Sequence, residues 1–502
     1  MDRIARSLFL AWLSGGAAAA QGTAFLTNIG HLGLQPVPIV VPALYSTRMK
    51  SGIMVNLPPG FKVNLFYKGS LSGARFMAFG PDSVMYVANQ SSGQVIALPD
   101  RNRDGVADTA IVAATGLGAI HDVKFFRGAM YATSAKQVFR LTSSAANSVY
   151  DLRSVFIDSI ASLAQNPNGG HQTRTIVFDS ANGRIFLSVG SSCNVCRDSG
   201  RADIEVRDMD GKNPRLYATG VRNAVGLALN PVTGRLWADN NGPDNQGDNI
   251  PPEWIDLVRE HGFYGWPFAY GFQKYFDFTV TEYASVLPIT SDDSARVRAM
   301  VAPAAQIQAH SAPLGIDFAT PAFPAPYSKG AFMALHGSWN RTIATGYKVV
   351  FLALTNAQDT VVDSVSDFLT GFVKDSVQKS EWARPVGILP DQGGNLFVSS
   401  DADSQFILRI SPDPTVYLGA RWQVAPSLGL EKTGPRSWRI AVAGSAGPLA
   451  LSVFDVSGRK VAAQAGSAAS IAWTAPPGLS GIYWISVQEG SRRLTQRVGI
   501  FE

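Results

Sequence analysis

The feature of this 502-residue chain that most constrains its fold is a short two-strand unit that recurs between about residues 57 and 412. In each copy, alternating apolar residues run into a turn rich in Gly, Asp or Asn and then into a second short alternating run. Period-2 alternation on both sides of a turn is typical of a β-hairpin that buries one face. The six copies that we recognise cover residues 79–88, 126–133, 178–188, 229–238, 327–334 and 389–398.

The spacing of these copies predicts an all-β chain built around a β-propeller. Most copies follow one another at an interval of roughly 45 to 60 residues, which matches the length of a four-stranded propeller blade. The interval between the fourth and fifth copies is nearly twice as long, so it holds either a long insertion on one rim or a seventh blade. We predict six blades at residues 57–412. Because the loops of every blade converge on one rim, functional residues are expected in loops far apart in sequence.

Composition agrees with short strands and many turns. The chain is 46% hydrophobic and 16% charged, and it carries 48 Gly and 29 Pro. Its formal net charge of +5 is small for this length. Lys and Arg do not form a block, so the sequence gives no indication of a nucleic-acid-binding stripe.

The first residues are typical of an export signal. Arg3 and Arg6 precede a short apolar run at 8–13, and Ala18–Ala20 offers a small-residue cleavage site. We interpret 1–20 as a signal peptide rather than a membrane anchor, because an anchor needs about 20 apolar residues. No later stretch is long and apolar enough to span a bilayer, so we expect a mature protein outside the cytoplasm, in which residues 21–56 form a linker or cap.

The character of the sequence changes after residue 412. A linker is expected at 413–429, and residues 430–502 contain several short alternating runs that predict a small β-sandwich. The runs 451–461 and 481–487 resemble the C-terminal sorting domains of type IX secretion cargo. That resemblance implies a type IX machinery as partner and transport to the outer-membrane surface, or release, from a Gram-negative bacterium. An accessory sandwich without a sorting role is the alternative.

The two cysteines lie close together, as Cys193 and Cys196. In an oxidising compartment, such a pair is most often a local disulfide that tightens a loop. Redox exchange or metal binding would also suit the spacing, although one pair alone cannot enclose zinc. Arg197 stands where covalent haem attachment would require His, so the motif does not attach haem.

One acidic segment has the spacing of a cation-binding loop. Oxygen ligands at alternate positions can wrap a hard cation, and Gly105 permits the sharp bend. Ile111 occupies the twelfth position, so the loop is not a complete EF-hand. We predict a structural calcium site remote from catalysis, and an exposed acidic turn is the alternative. Its ligands would be Asp100, Asn102, Asp104, Val106 and Asp108.

Three further loops carry groups with chemical potential. His171 follows two glycines directly before an alternating strand, where its imidazole could take a proton near neutral pH. Arg222 and Asn223 together offer donors for carbonyl or carboxylate oxygens. The bend at 240–244 exposes backbone carbonyls that suit a hard cation. Each of these loops alone is also compatible with an ordinary turn.

Taken in order, these motifs resemble the soluble glucose and sorbosone dehydrogenases that depend on pyrroloquinoline quinone (PQQ). The matching segments are Gly-Gly-His171-x-x-Arg-Thr, Thr-Gly-Val-Arg222-Asn223-x-x-Gly-Leu, Asn-Gly242-Pro243 and Gly-Phe-Tyr-Gly-Trp-Pro. The resemblance continues through residues 336–341, 346–350, 384–387 and 400–401, and covers roughly residues 55 to 412. The acidic loop and the cysteine motif point to the sorbosone dehydrogenase branch.

The resemblance implies an enzyme that oxidises a sugar or sugar aldehyde and passes electrons to a separate acceptor. His171 would be the general base, and Arg222 and Asn223 would lie against the reacting quinone oxygens. The backbone carbonyls of Gly242 and Pro243 would bind a calcium ion that also contacts PQQ. The PQQ carboxylates would pair with Lys348 and Arg384, with Asp401 beside them. Aromatic side chains that would stack on the cofactor or on a sugar, or pack in the core, are Trp266, Trp339 and Tyr347.

One position departs from the family pattern. In the soluble glucose dehydrogenases, a carboxylate at the end of the following strand orients the catalytic histidine, whereas this chain has Ser191 there. A serine cannot stabilise an imidazolium as a carboxylate does, so turnover of glucose is in doubt. Two alternative functions stay open: a calcium-dependent propeller hydrolase of the lactonase kind, and a non-catalytic carbohydrate- or protein-binding propeller at the cell surface.

Overall fold

The computed structural model of the chain describes most of the residues after the N-terminal segment. The described ranges are 29–30, 33–145, 147–166, 168–354, 362–402, 405–413, 428–442, 447–454, 460–466, 470–489 and 492–500. The predicted signal peptide, most of the predicted linker and the turn at 455–459 lie outside them. The chain divides into two compact units, Met1–Asp413 and Pro414–Glu502. Within the described ranges, no helix has the length and apolar character needed to cross a membrane.

The first unit is built from sheets of four main antiparallel strands, in which neighbours in sequence are neighbours in space. Sheet 1 consists of Ala74–Phe79, Met85–Asn89, Gln94–Leu98 and Ile111–Ala114, and sheet 2 of Asp122–Phe126, Ala129–Thr133, Val138–Thr142 and Leu152–Ile157. Sheet 3 consists of Ile176–Asp179, Arg184–Val189, Asp203–Asp208 and Arg215–Thr219, and sheet 4 of Leu227–Leu229, Leu236–Asn240, Glu253–Leu257 and Ala305–Ile307. Sheet 5 consists of Pro313–Phe318, Gly330–Leu335, Lys348–Ala353 and Ser364–Leu369.

Sheet 6 joins the two ends of the unit. Its first three strands are Pro385–Pro390, Leu396–Ser400 and Phe406–Pro412, and its fourth is the early strand Phe61–Tyr67. The strands Gln35–Val40 and Met54–Leu57 extend the outer edge of this sheet, and Ile29–Gly30 pairs in parallel with the outer strand of sheet 5. Residues that the sequence assigned to a linker or cap therefore include strands of the sheets.

The first strands of the sheets form a closed ring. Each contacts the first strand of the next sheet, and the first strand of sheet 6 contacts that of sheet 1. This ring of radially arranged antiparallel sheets is the architecture of a β-propeller. A small apolar cluster contains Phe76, Leu314 and Val386 from three of these first strands, and Val225, which lies two residues before the first strand of sheet 4. It therefore lies at the centre of the ring.

The strand order decides which loops meet. Because the four strands of each sheet alternate in direction, the connection between sheets and the turn between the second and third strands lie at the same rim, here called the site rim. The other two turns of each sheet lie at the opposite rim. The site rim thus collects segments that are far apart in sequence, as a propeller requires.

The long interval between the fourth and fifth hairpin copies is an insertion between the third and fourth strands of sheet 4. Its strand Gly262–Phe263 pairs in parallel with the outer strand of sheet 3. Because that outer strand runs toward the site rim, Gly262–Phe263 leads the chain back to the same rim. The insertion also contains the short pair Ala269–Tyr270 and Lys274–Tyr275, the 3-10 helix Tyr283–Val286 and the α-helix Ser291–Arg298. Thr290 and Asp293 form a capping box that begins this helix.

Shorter elements complete the first unit. They are the 3-10 helices Ala43–Tyr45 and Gln90–Ser92 and the strand pair Val373–Asp375 and Ser380–Glu381.

The second unit contains two antiparallel sheets. One consists of Leu428–Gly434, Ser437–Val442 and Ser470–Thr474, and the other of Leu449–Phe454, Lys460–Gly466, Gly481–Glu489 and Arg492–Ile500. Both contribute to one hydrophobic cluster, in which Trp438 and Trp473 pack with ring centroids 5.5 Å apart. The alternation of apolar residues places them in this shared core, since successive side chains of a strand point to opposite faces.

Candidate functional site

His171 lies at the site rim, in the connection between sheets 2 and 3. Its backbone N–H donates to the carbonyl oxygen of Ser191 at 2.9 Å. Its ring Nδ1 lies 3.1 Å from the same carbonyl oxygen and 3.0 Å from the Ser191 hydroxyl. The serine named in the sequence as a departure from the family pattern is therefore the ring's direct partner.

The surroundings of Ser191 define the tautomer of this histidine. Ser191 is completely buried, and its hydroxyl donates to the carbonyl oxygen of Cys193 at 2.6 Å. Since that proton is committed to Cys193, the hydroxyl oxygen accepts from His171, and so does the Ser191 carbonyl oxygen. The Nδ1 atom therefore carries the hydrogen, and the lone pair is on Nε2.

The His171 imidazole is held in its neutral form. Burial lowers its pKa to about 4, and the positive charge of Arg222 contributes to that shift. A carboxylate partner would oppose these effects, whereas a serine does not. His171 is thus a neutral acceptor of protons over the whole physiological pH range.

Two glycines permit the close approach of this loop to its neighbours. Gly170 has a φ of +56°, and a Cβ atom there would lie 2.3 Å from the carbonyl oxygen of Ser191. At Gly190, a Cβ atom would lie 2.7 Å from Cβ of His171 and 2.5 Å from Oδ1 of Asn223. A side chain at either position would push these groups apart.

Arg201, which the sequence did not indicate as a site residue, binds the backbone of the His171 loop. It is 2% exposed, and its guanidinium donates to the carbonyl oxygens of Gly190 and His171 at 2.8 and 2.9 Å. It also donates to the carbonyl oxygens of Asn168 and Gly169, each at 3.1 Å. No motif marks Arg201, because its partners are backbone atoms brought near only by the fold.

Arg222 lies in the connection between sheets 3 and 4 and is 4% exposed. Its Nε donates to the backbone carbonyl of Asn194 at 2.9 Å, and its Nη2 to the side-chain Oδ1 of the same residue at 2.8 Å. Its Nη1 donates to the carbonyl oxygens of Asn241 and Gly242 at 3.2 and 2.8 Å. Asp244 lies 3.8 Å from Nη2 and partly balances the charge.

Asn223, next in the chain, offers an unsatisfied polar atom. The side chain is 7% exposed, and its Oδ1 is buried without a hydrogen-bond partner. An unpaired buried polar atom costs about 1–3 kcal/mol, so such an atom in a site calls for a ligand or water. Through Gly190, Asn223 and His171 lie against the same backbone segment.

A second group of polar side chains lies at the same rim, where sheets 1, 2, 5 and 6 meet. Asp401 accepts from His336 Nε2 at 2.7 Å and from Arg75 Nη1 at 2.5 Å. Arg75 Nε in turn donates to Nδ1 of His121 at 3.1 Å. Arg384 donates to the backbone carbonyls of His336 and, at 2.7 Å, Gly337. These five residues are called the Arg75 cluster below.

The charges within the Arg75 cluster are unequal. Burial alone would raise the pKa of Asp401, but the hydrogen bond from His336 and the charge of Arg75 lower it to about 2. Burial lowers the pKa of His336, so a neutral imidazole donates from Nε2 to the carboxylate. With one carboxylate against Arg75 and Arg384, the cluster has an excess of positive charge. It suits an anionic ligand.

His121 adds a directional donor to this cluster. It is 1% exposed and accepts from Arg75 at Nδ1, so its Nε2 carries the hydrogen. That Nε2 is buried without a partner. Burial also places the pKa of His121 well below its usual value, so the ring is a neutral donor.

Lys348 is not brought into this cluster. It begins the third strand of sheet 5, and its Nζ lies 2.6 Å from Oδ1 of Asp367 on the outer strand. Arg384 and Asp401, named with it in the sequence, do lie in the cluster. The structure thus offers Lys348 a different anionic partner, and its pairing with a cofactor stays a prediction.

The turn at Gly242 and Pro243 lies at the site rim, between the second and third strands of sheet 4. Arg222 already donates to the Gly242 carbonyl oxygen, while the Gly242 N–H donates to Glu253 Oε2 at 2.5 Å. Burial raises the pKa of Glu253 to about 7. A calcium ion on the Gly242 carbonyl would share that oxygen with a guanidinium. The carboxylate of Asp244 would offset the resulting repulsion.

The acidic loop from Asp100 to Asp108 connects the third and fourth strands of sheet 1, so it lies at the opposite rim. Asp100 accepts from the N–H groups of Asp104 and Gly105, and Asp108 accepts from that of Arg101. Asn102 accepts from Asp104, which itself accepts from Val106. These side-chain oxygens thus bind the backbone of the loop itself, at the rim opposite His171, and calcium binding there stays a prediction.

The remaining predicted groups are a pair of cysteines and three aromatic side chains. Cys193 and Cys196 form a disulfide next to Ser191. Trp266 is 2% exposed and donates to the carbonyl oxygen of Asn194 at 3.1 Å, so it packs rather than faces a ligand. Tyr347 is buried with its ring 5.4 Å from the Arg384 guanidinium. Trp339 is 67% exposed at the site rim.

Sequence comparisons agree with this architecture. The model of the TrAA12-like family matches residues 55–253 and 258–410, and that of the Glucose / Sorbosone dehydrogenase family matches residues 195–318. An uncharacterized protein of Borreliella burgdorferi is 26% identical over 69% of this chain and 88% of its own length. A pyrroloquinoline quinone-dependent pyranose dehydrogenase of Coprinopsis cinerea is 27% identical over 49% of this chain. That match spans 40% of the Coprinopsis enzyme.

Among solved structures, the holo form of the PQQ domain of the Coprinopsis cinerea pyranose dehydrogenase has a similar fold. The TM-score is 0.59 at 23% identity, over 71% of this chain and 97% of that domain. The TrAA12-like match begins before the early strand of sheet 6, continues through sheets 1 to 5 and ends in the third strand of sheet 6. Every residue of the site rim described above lies within the matched span. The chain therefore belongs to the TrAA12-like family.

Proposed function

We propose that this protein is a PQQ-dependent dehydrogenase that oxidises a sugar or sugar aldehyde. The observation that carries the proposal is the Arg75 cluster at the centre of the site rim. It combines two guanidinium groups with a buried, unpartnered donor at His121 Nε2. PQQ is a planar quinone with several carboxylates, so a buried excess of positive charge with free donors matches its chemistry.

His171 is proposed as the base. Bound PQQ would supply the acceptor for the hydride that leaves the substrate carbon. The Nε2 lone pair of His171 takes the hydroxyl proton as that hydride leaves, so the substrate becomes a carbonyl compound. Because His171 is neutral down to about pH 4, it is ready to accept this proton without first losing one.

Arg222 and Asn223 are proposed to lie against the quinone oxygens and to stabilise the negative charge that would develop there. The Arg222 guanidinium is fixed by Asn194 and by the turn at Gly242, and a fixed cation stabilises negative charge without reorganising. The unpaired Oδ1 of Asn223 beside it needs a partner from the ligand or from water. In the Arg75 cluster, Arg75, Arg384 and His121 bind carboxylates, and Asp401 orients His336 and Arg75.

Calcium is proposed at two places. The carbonyls of Gly242 and Pro243, balanced by Asp244, offer one site beside Arg222. The loop from Asp100 to Asp108 offers the other, with a structural role at the opposite rim. The sorbosone-type substrate and a separate electron acceptor also belong to the proposal.

We further propose that each sheet of the ring is one blade, six in all, and that the two sheets at residues 428–500 form a β-sandwich. Export with the help of residues 1–20, and a sorting role for the second unit, are proposals from the sequence. The two other functions considered above, a lactonase-like hydrolase and a binding module, find less support. A hydrolase needs carboxylates converging on the metal, whereas the groups at the centre of this rim are mainly cationic.

The function is tested by adding PQQ to purified protein, with calcium or with a chelator. We expect saturable binding, seen as a change in the PQQ absorption spectrum, and sugar-dependent reduction of an artificial electron acceptor. Chelation is expected to weaken binding. Absence of PQQ binding in the presence of calcium would overturn the dehydrogenase proposal, while binding without oxidation of any sugar would favour a non-catalytic role.

A further inference from the structure

Asn194, a residue to which the sequence reasoning gave no role, contacts Arg222 from two sides. It lies within the turn closed by the disulfide between Cys193 and Cys196. Its backbone carbonyl accepts from Arg222 Nε at 2.9 Å and its side-chain Oδ1 accepts from Nη2 at 2.8 Å. Two parallel hydrogen bonds of this kind define the plane of a guanidinium as well as its position.

The amide group of Asn194 is itself held in one orientation. Its Oδ1 also accepts from the backbone N–H of Asp244 at 2.8 Å, and its Nδ2 donates to Glu282 at 2.8 Å. Its backbone carbonyl accepts a second hydrogen bond from Trp266. Because the oxygen has two donors and the nitrogen has a carboxylate partner, a flipped amide would lose these bonds.

The same turn reaches the base. The carbonyl oxygen of Cys193 accepts from the Ser191 hydroxyl, which accepts from Nδ1 of His171. The backbone N–H of Ser191 donates to the carbonyl oxygen of Arg222 at 2.8 Å. The disulfide-closed turn therefore binds both sides of the site. Cys193 binds Ser191, the partner of the His171 ring, and Asn194 binds Arg222 directly.

We infer that Asn194 is a positioning residue that orients Arg222 for charge stabilisation, and that the disulfide keeps Asn194 in place. The inference rests on the proposed function, which gives Arg222 its role at the cofactor. Of the five N–H groups of Arg222, four donate to carbonyl oxygens of Asn194, Asn241 and Gly242. One N–H on Nη2 is left for a further acceptor, and the two bonds to Asn194 determine where it points.

This arrangement favours catalysis because a free arginine side chain populates many rotamers. An unrestrained side chain would have to be ordered in each turnover, whereas a guanidinium that is already fixed stabilises developing charge at once. Asn194 does not touch the reacting atoms in this scheme. It acts only through Arg222, and that restriction makes the inference testable.

The first test is Asn194→Ala, which keeps the backbone carbonyl and removes the amide. We expect kcat for sugar oxidation to fall about 10- to 100-fold, as for a misplaced catalytic group. The dissociation constant of PQQ, measured by its absorption change, is expected to change less than about threefold, since the Arg75 cluster is intact. The matched control is Asn213→Ala in an exposed turn at the opposite rim, where the amide donates to Asp208. It is expected to alter neither quantity.

The second test combines Asn194→Ala with Arg222→Lys. If Asn194 acts through Arg222, the double variant should be no slower than Arg222→Lys alone, because the group to be oriented is already absent. Additive losses in kcat would overturn the inference. A Cys193→Ser and Cys196→Ser double variant should reproduce the Asn194→Ala split between kcat and PQQ affinity, and unchanged kcat would contradict the role given to the disulfide.

A readout independent of the cofactor separates this inference from the proposed function. In a crystal structure of Asn194→Ala, the Arg222 guanidinium should leave its position against Gly242 or adopt more than one orientation. An unchanged guanidinium would refute the positioning role, whether or not PQQ binds. Failure of the unmodified protein to bind PQQ would instead refute the proposed function and leave the structural result standing. A melting temperature of Asn194→Ala close to that of the unmodified protein would show that a general loss of folding is not involved.

Discussion

The two partially buried histidines at the site rim, His171 and His336, differ in what holds the ring. His171 donates from Nδ1 to a serine and a backbone carbonyl, and its Nε2 bears the lone pair. His336 donates from Nε2 to the Asp401 carboxylate, which also binds Arg75. Burial lowers the pKa of both. His171 thus has a serine as the side-chain partner of its ring, whereas His336 has a carboxylate.

The comparison separates two tasks. A ring without a carboxylate in direct contact can accept a proton and release it again, because burial and the charge of Arg222 disfavour the imidazolium. A ring tied to a carboxylate and an arginine is held in one orientation, and its neighbours attract an anion. This difference supports the proposal that His171 is the base and that His336 belongs to the cluster that binds carboxylates, and variants of the two sites test it.

The largest effect is expected for His171→Ala. A general base typically contributes about 100- to 10,000-fold to the rate, so kcat should fall by that order. The dissociation constant of PQQ should change little. Both are measured with an artificial electron acceptor and by absorption titration. If His171→Ala retained its rate while His336→Ala lost it with PQQ still bound, the two roles would have to be exchanged.

His336→Ala is expected to act on affinity first. Removing it leaves Asp401 without one of its two partners and disturbs Arg75, at a cost of about 1.5–3 kcal/mol for a hydrogen bond to a charged group. PQQ should then bind about 10- to 100-fold more weakly, while kcat at saturating PQQ stays within about tenfold. A melting curve controls for misfolding. Unchanged affinity would remove the Arg75 cluster from the cofactor site.

A smaller effect, on the pH profile, is expected for Ser191→Asp. The rate requires neutral His171, so in the unmodified protein kcat/KM should be constant above about pH 4 and fall below it, as the ring is protonated. An aspartate at 191 would stabilise the imidazolium and raise the pKa of His171 by about one unit or more. The acidic limb should then move to higher pH. Ser191→Ala, which adds no charge, is the matched control, and an unmoved limb in Ser191→Asp would mean that another group titrates.

The smallest effect is expected for Lys348→Ala. The ammonium is paired with Asp367 on the outer strand of sheet 5, where side chains are partly exposed. Such pairs contribute about 0.2–1 kcal/mol, so only a minor loss of stability should appear in denaturant unfolding. PQQ affinity should fall by less than in His336→Ala. A loss as large as that of His336→Ala would restore Lys348 to the cofactor site.

Local patterns in the sequence determined much of the fold. Alternating apolar residues around Gly- and Asp-rich turns specify hairpins wherever they occur, and the six hairpins fall in sheets 1 to 6. The Cys193–Cys196 pairing is local as well, since only two residues lie between the cysteines. The glycines before His171 and the ligand spacing of the acidic loop are similarly readable, because both depend on backbone geometry within a few residues.

Partners distant in the chain were decided only by the tertiary structure. Arg75 and Asp401 lie 326 positions apart, and Arg222 and Asn194 lie 28 apart. No sequence pattern joins them, because closure of the ring and the direction of each strand bring them together. The sequence predicted the same role for Lys348 and Arg384, which was to pair with carboxylates of the cofactor. In the structure, Lys348 pairs with Asp367, whereas Arg384 donates to the backbone carbonyl of His336. Hairpins are encoded by neighbours, whereas a site made from the loops of several sheets exists only once those sheets surround a common axis.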